Sequence, residues 1–357
     1  MRPLYKYVQS LIHLFIMQIH NDLFVLKTIF LFSFLTLGLM FNGLGILSLS
    51  VQKAYSTERI KLQPEQGSNN NSSSKVIILA FDDSPKSQFT LAKPILDKYG
   101  LKGAFFTVCT YVDKGSNGTD KGRMSWQDIK TLQSQGHEIE SHTMTHGDLN
   151  LKSGQDLTYE IGGSKQCLAD HGINSTIFAY PASTGSKNET IINTVARYYN
   201  LARSGDAPLA FLHCNGYNIQ QTGCKPFDQK GNATYESRYN VKNWSDRPKP
   251  ESHQTNVTYG NSQMFTQFVR EVNLQSNYNK NGCINAIPIV VYHNFIVDSN
   301  HRYLPDKSFT DVGLFSQEMK YLHDNGFKVL IMSDLQYNDS TTFLYIKEPN
   351  NALTKNC

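Results

Sequence analysis

The sequence predicts an α/β domain, a parallel sheet with helical crossovers that is closed or open, preceded by one apolar membrane-spanning helix. Three observations predict it. Apolar runs of strand length alternate with helical stretches over about 260 residues. The first run, Val76-Ile-Ile-Leu-Ala-Phe81, is apolar throughout, as a strand buried on both faces requires. An uncharged span from Thr28 to Val51 lies ahead of it. Among the 357 residues, 39% are hydrophobic and 11% aromatic, enough for a packed core, which excludes wholesale disorder. Lys and Arg number 34 against 30 Asp and Glu, so the net charge is only +4. That is too little for a dedicated nucleic-acid binder, and no nucleic-acid partner is expected. No repeat period is visible, which sets solenoids and propellers aside.

Taken in order, residues 1–27 are a short N-terminal segment. Residues 28–51 are long enough to cross a bilayer and too long for a secretory signal, so an uncleaved anchor is expected. Residues 52–75 form a polar linker rich in Gly, Ser and Asn. The folded domain is expected over 76–340. After the Val76–Phe81 strand a helix runs to Tyr99, with Gly100 as its cap. A second strand covers Ala104–Val108, Ser125-Trp-Gln-Asp128 opens a helix that Gly136 ends, and His137–Glu140 is the third strand. A helix to about His171, a strand at Thr176–Tyr180 and a helix over Asn188–Tyr199 continue the alternation, with the next strand near Leu201–Ser204. From Cys214 to Gln263 the rhythm breaks, and this polar stretch reads as a long surface excursion. Strands at Ala286–Tyr292 and Phe327–Met332 flank a helix near Leu314–Asp324, and 341–357 reads as a tail.

The chain beyond Val51 is expected outside the cell, with the membrane as a partner through the N-terminal helix. Nine Asn-x-Ser/Thr sequons follow the span, at Asn70, Asn71, Asn117, Asn174, Asn188, Asn232, Asn243, Asn256 and Asn338. The six cysteines are an even number that tolerates an oxidising exterior, and their 15 possible connectivities stay open. None forms a Cys-x-x-Cys pair, which argues against a cysteine zinc site.

Active residues of α/β sheets and barrels sit at the C-terminal ends of strands. Three strand ends here carry acid, base or metal-type side chains. Asp82-Asp83 follows Phe81 directly, and two adjacent carboxylates there need a cation or hydrogen bonds to offset repulsion and desolvation. Ser141-His142-Thr-Met-Thr-His146 follows the third strand, and two His four apart on one face of a helical turn can hold one metal. A carboxylate oxygen with two imidazole nitrogens describes a divalent site; zinc is favoured, and cobalt or nickel suits a similar set. His293 ends the Ala286–Tyr292 strand at the same rim, a suitable general acid or base.

Ala80-Phe-Asp-Asp83, His142-Thr-Met-Thr-His146, Phe178-Ala-Tyr-Pro181 and Ile289-Val-Val-Tyr-His293, in that order, resemble the motifs of the polysaccharide deacetylases, the NodB-homology group or carbohydrate esterase family four. The resemblance covers about Val76 to Met332 and implies a distorted (β/α) barrel of about seven strands. It also implies Asp82 as general base, Asp83, His142 and His146 as metal ligands and His293 as general acid. Tyr180, Pro181 and Ala182 would meet the substrate, an N-acetylated polysaccharide or oligosaccharide, with a main-chain N–H near Ala182 on the oxyanion. The family's third motif often carries an Arg that is missing at Ala179, and Arg203 is the candidate replacement. The fourth motif, Asp-x-x-Asp-Trp, is not found; Trp244-Ser-Asp246 does not match it, and the carboxylate that would tune His293 stays unassigned.

The same constellation suits an O-acetyl esterase or a small-amide hydrolase, and a catalytically weak glycan-binding surface protein is the reading of a different class. A glycoside hydrolase would want two carboxylates ~5–10 Å apart and no metal, and the His pair argues against it.

Overall fold

Strand β1, Val76–Phe81, is buried at all six positions, and this double-sided burial places it in the wall of a barrel instead of on a half-exposed sheet. The computed structural model describes residues 75–205, 207–212, 238–248, 258–280, 282–303, 308–340 and 343–347. All belong to one structural unit, Asn70–Cys357. The expected anchor at 28–51 and its linker up to residue 74 lie outside the described residues, among which no helix is long and apolar enough to cross a membrane.

After β1 a helix begins with a π turn at Gln88–Ala92 and continues as α1, Lys93–Tyr99. Gly100 ends it at φ 65, a left-handed conformation that a side chain disfavours. Strand β2, Ala104–Thr107, leads into α2, Cys109–Ser116. Helix α3, Trp126–Ser134, starts as expected: Ser125 and Asp128 cap each other's main-chain N–H groups. Then come β3, Glu138–Ser141, and a helix made of α4, Gly154–Thr158, a π turn at Tyr159–Gly163, and α5, Ser164–Asp170. Strand β4, Ile177–Ala179, α6, Glu189–Ala196, and β5, Leu201–Ser204, follow. The short strands β6, Ala210–Phe211, β7, Val241–Lys242, and β8, Trp244–Ser245, precede α7, Asn261–Asn273. The chain continues with β9, Ala286–Ile287, β10, Ile289–Tyr292, β11, Asn294–Ile296, and β12, Phe309–Asp311. It then forms α8, Val312–Asp324, β13, Lys328–Leu330, β14, Leu335–Asn338, and β15, Phe343–Ile346.

Eight strands run β7-β5-β4-β3-β2-β1-β10-β8, each pair along this path parallel, and β13 pairs with the first half of β1. The path's two ends, β7 and β8, are joined in the chain by Asn243 alone, so the sheet curls into a nearly closed (β/α) barrel. The expected count of about seven strands is therefore one short on this path. Alternation along each strand sorts two cores. Val76, Ile78, Ala80, Phe106, Leu201, Ile289 and Val291 cluster apart from the surrounding α-helices and fill the interior. Ile77, Leu79, Phe81 and Phe105 face out and pack on Leu96, Ile129, Leu168, Phe268 and Phe315 of the surrounding helices. Phe81 stacks on Phe105 with centroids 4.6 Å apart, and burying such a ring stabilises by ~1.5–3 kcal/mol.

Several expectations are corrected. The polar stretch Cys214–Gln263 is not wholly an excursion, because β7 and β8 lie within it as barrel strands and α7 starts before it ends. Strands of two residues leave no periodic signal. Residues 213–237 and 249–257 lie outside the described residues. The Ala286–Tyr292 strand is split at Pro288: β9 pairs antiparallel with β6, while β10 joins the barrel. The tail begins later than 341, since β15 pairs antiparallel with β14 and buries Leu344 in the interior cluster. Among the described residues one bond of the open connectivities is seen: Cys109 of α2 is bonded to Cys167 of α5.

Candidate functional site

The alternation that fills the barrel interior also loads its rim. Two residues on from interior Ala80, Leu201 and Val291 come Asp82, Arg203 and His293, and two on from Glu140 comes His142. All four line one cavity of about 490 Å³, together with Asp83, His146, Tyr180, Ala182 and Asn243.

Asp82 is buried, and Arg203 Nη2 donates to its Oδ1. Arg203 is itself fixed, with its guanidinium 3.9 Å from the Phe106 ring and Nη1 donating to Asn243 Oδ1 at 3.2 Å. A buried carboxylate is tolerable when a cation and hydrogen bonds accompany it, and Arg203 provides both. The substitute expected for the missing Arg at Ala179 is thus in contact with Asp82, 121 residues away in sequence.

Asp83, His142 and His146 come together: one ligand atom from each lies within 4.8 Å of the others. Asp83 Oδ1 is 3.1 Å from His146 Nε2 and 3.4 Å from His142 Nε2, and it is buried with no well-aligned donor. His142 Nδ1 lies 2.9 Å from the Ala179 carbonyl, which can only accept, so Nδ1 carries the proton and Nε2 faces the cluster. Burial opposes charge on Asp83, yet the His142 and His146 nitrogens hold its carboxyl well below the usual carboxylate range. Burial likewise opposes protonation of His142, and the Asp82 and Asp83 carboxylates overcome it and raise its pKa. The two shifts report the mutual attraction of the carboxylates and imidazoles gathered at this point. One carboxylate oxygen and two imidazole nitrogens fit a divalent cation with positions left for water.

The His pair does not lie on a helical turn, contrary to expectation. His142 directly follows β3, and His146 is brought round by a tight turn in which Thr143 has φ 73 and His146 φ 63. Thr143 Oγ1 accepts from His146 N at 2.8 Å, and Glu160 receives Thr145 N at 2.9 Å as well as the Thr145 hydroxyl. Glu160 belongs to the π turn, a common device at functional sites. Among the described residues, six other than glycine have positive φ: Asp83, Ser84, Thr143, His146, Ala182 and Ser183. All six sit at this rim, where such strain costs of order 1–3 kcal/mol each and persists only because the surroundings impose it.

His293 is half-buried at the cavity wall. Burial lowers its pKa, and the Asp82 and Asp83 charges only partly offset this. Asp246, in the Trp244-Ser-Asp246 stretch that does not match the fourth motif, accepts from Thr310 Oγ1 at 2.8 Å. Tyr180 is buried with its ring edge-on to Phe178, Pro181 opens a single 3-10 turn, and Ala182 sits in that turn at φ 47.

Three contributors were missed from sequence. Gln88 Nε2 donates to both the Asp82 and His293 main-chain carbonyls, at 2.6 and 3.0 Å, tying two rim positions together. Glu160, buried on its helix, carries the His loop, a contact that no spacing in the sequence marks. Asn243 belongs to a sequon, but it is buried, accepts from Arg203 and donates to the Gly205 carbonyl at 3.1 Å, which removes it as a glycan acceptor.

Residues 69–201 match the family model described as polysaccharide deacetylase. YxkH of Bacillus subtilis (strain 168), provisionally named a polysaccharide deacetylase, is 30% identical over 127 residues, 35% of this chain and 42% of that protein. The chitooligosaccharide deacetylase of Sinorhizobium fredii (strain NBRC 101917 / NGR234) is 24% identical over 138 residues, 38% of this chain and 55% of that one. A solved structure, the Streptococcus pyogenes deacetylase PplD in complex with acetate, is 28% identical over 37% of this chain and 57% of that chain, with a TM-score of 0.34. The matches thus span about half the length of the two curated relatives. The family match takes in Asp82, Asp83, His142, His146 and Tyr180–Ala182 and stops short of Arg203 and His293, whose membership of the site rests on geometry.

Proposed function

We propose that this chain, whose residues 69–201 match the polysaccharide deacetylase family model, hydrolyses N-acetyl groups of an N-acetylated glycan at the cell surface. The observation that carries the reading is the convergence of Asp83, His142 and His146 beside the Arg203-held Asp82 at the rim of one cavity. Asp83, His142 and His146 would hold a divalent cation, with zinc favoured by two imidazoles and one carboxylate. When bound there, such a cation supplies Lewis acidity that polarises the acetyl carbonyl and acidifies water.

The chain's own residues account for the remaining steps. Arg203 occupies Asp82 Oδ1, and Oδ2, which lies 3.8 Å from His142 Nε2, is left to take a proton from the attacking water. Ala182, which lines the cavity at φ 47, would offer its main-chain N–H to the developing oxyanion, a term often worth ~3 kcal/mol per donor. His293 in its protonated form delivers a proton to the sugar nitrogen as the carbon–nitrogen bond breaks. Acetate leaves, and the glycan keeps an amine. The depressed pKa of His293 makes it a stronger acid for that transfer.

The surface location is supported by the uncharged Thr28–Val51 span, the polar linker and the sequons other than Asn243. The Cys109–Cys167 disulfide supports an oxidising compartment. The deciding experiment is acetate release from N-acetylglucosamine oligomers by the full chain loaded with zinc, with and without chelator. Release that chelator stops and zinc restores is expected; a zinc-loaded chain that frees no acetate overturns the reading.

A further inference from the structure

Asp83 offers its side chain to the cation cluster from a backbone that L-residues rarely adopt: its φ is 73, and Ser84 follows at φ 55. Two consecutive left-handed residues need external support. It comes from the turn at 120–124, ahead of α3. Met124 N donates to the Ser84 carbonyl at 2.9 Å, and Lys86 N donates to the Gly122 carbonyl at 2.7 Å. Pro85 and Arg123 form an antiparallel bridge. The Arg123 side chain reaches Asp83 itself, Nη1 donating to its main-chain carbonyl at 2.9 Å.

The Cζ of the same guanidinium lies over the Tyr111 ring of α2, 3.9 Å from its centroid, a close cation–π contact. Tyr111 in turn lies nearly parallel to the His146 imidazole, at 26° and 6.1 Å between centroids. Asp120 Oδ2, 3.5 Å from Arg123 Nε, steadies the far side of the fork. Arg123 and Tyr111 line no part of the cavity, so neither meets a substrate there.

We propose that Arg123 is a positioning residue for the cation site, clamping the Asp83 main chain and, through the Tyr111 ring, backing His146. This rests on the reading of Asp83, His142 and His146 as ligands. Planarity suits Arg to the task, because one face can stack while an edge donates.

The test is zinc affinity of the full chain, measured by competition with a chromophoric chelator. Arg123→Met and Tyr111→Leu should each weaken zinc binding ~10–100-fold, as loss of groups that orient ligands does. Tyr111→Phe keeps the ring and should bind as wild type. The double variant should lose less than the two single losses combined, because both act through one stack. In oligosaccharide assays at fixed zinc, kcat should fall with KM held. Zinc affinity in Arg123→Met within about twofold of wild type overturns the proposal. If Arg123→Met does not fold, equal affinities in Tyr111→Leu and Tyr111→Phe overturn it. A wild-type chain that binds no zinc overturns the ligand reading, and the clamp with it.

Discussion

Asp246 should make the folded chain less stable as pH rises, and Asp246→Asn should remove much of that dependence. Asp246 follows β8, is almost fully buried, and has Oδ1 without a hydrogen-bond partner while Oδ2 receives the Thr310 hydroxyl. Burial pushes its carboxyl up to about 7, from an ordinary 3.8. The folded state therefore binds the proton more tightly than the unfolded chain does. The resulting stability is fully present below about pH 4 and is lost as pH rises through about 7. A rise of about 3 units at about 1.4 kcal/mol each gives on the order of 4 kcal/mol. Burial also raises the pKa of Glu318, which feels the Asp246 charge and accepts from Tyr292 Oη at 2.9 Å. Neutralising Asp246 lightens that second load with the same sign. Urea unfolding of the full chain from about pH 4 to about pH 8 should show wild type losing several kcal/mol more than Asp246→Asn. Near pH 8 the variant should be the more stable protein. Parallel stability curves would refute the reasoning, because they would mean that Asp246 ionises in the fold without penalty.

Asp82 and Asp83 are neighbours that should fail differently: Asp83→Asn should weaken zinc binding, whereas Asp82→Asn should keep the metal and lose ~10²–10⁴ in rate. The reverse pattern, read from metal content and acetate release, would exchange their roles. With His293 as the acid, kcat should fall as pH rises through its pKa, on the acid side of the ordinary imidazole value because burial depresses it. His293→Gln should flatten that limb, and a limb that survives belongs to another group. Protease added to intact cells should release a fragment beginning in the linker 52–75, and a chain left whole by that treatment is not displayed outside.

The sequence alone made the strand ends legible, because short apolar runs and the residues that follow them are local facts. Asp82-Asp83 after Val76–Phe81, the His142 and His146 pair after β3 and His293 after β10 all occupy the rim where the alternation put them. Apart from Arg203, which the sequence offered as a candidate, the residues that hold these groups were hidden, because their partners are set by strand adjacency and register and not by spacing. Arg203 meets Asp82 only because β5 and β1 curl into one barrel, and Gln88 joins Asp82 to His293 only because β1 and β10 pair with Phe81 opposite Tyr292. The Cys109–Cys167 bond and the closing strands β7 and β8 belong to the same class, one a choice among 15 pairings and the other too short for periodicity. The left-handed turns at Asp83 and His146 fall there too, since nothing in an Asp or a His announces that conformation. Local pattern chose which side chains reach the rim, and long-range packing decided which of them touch.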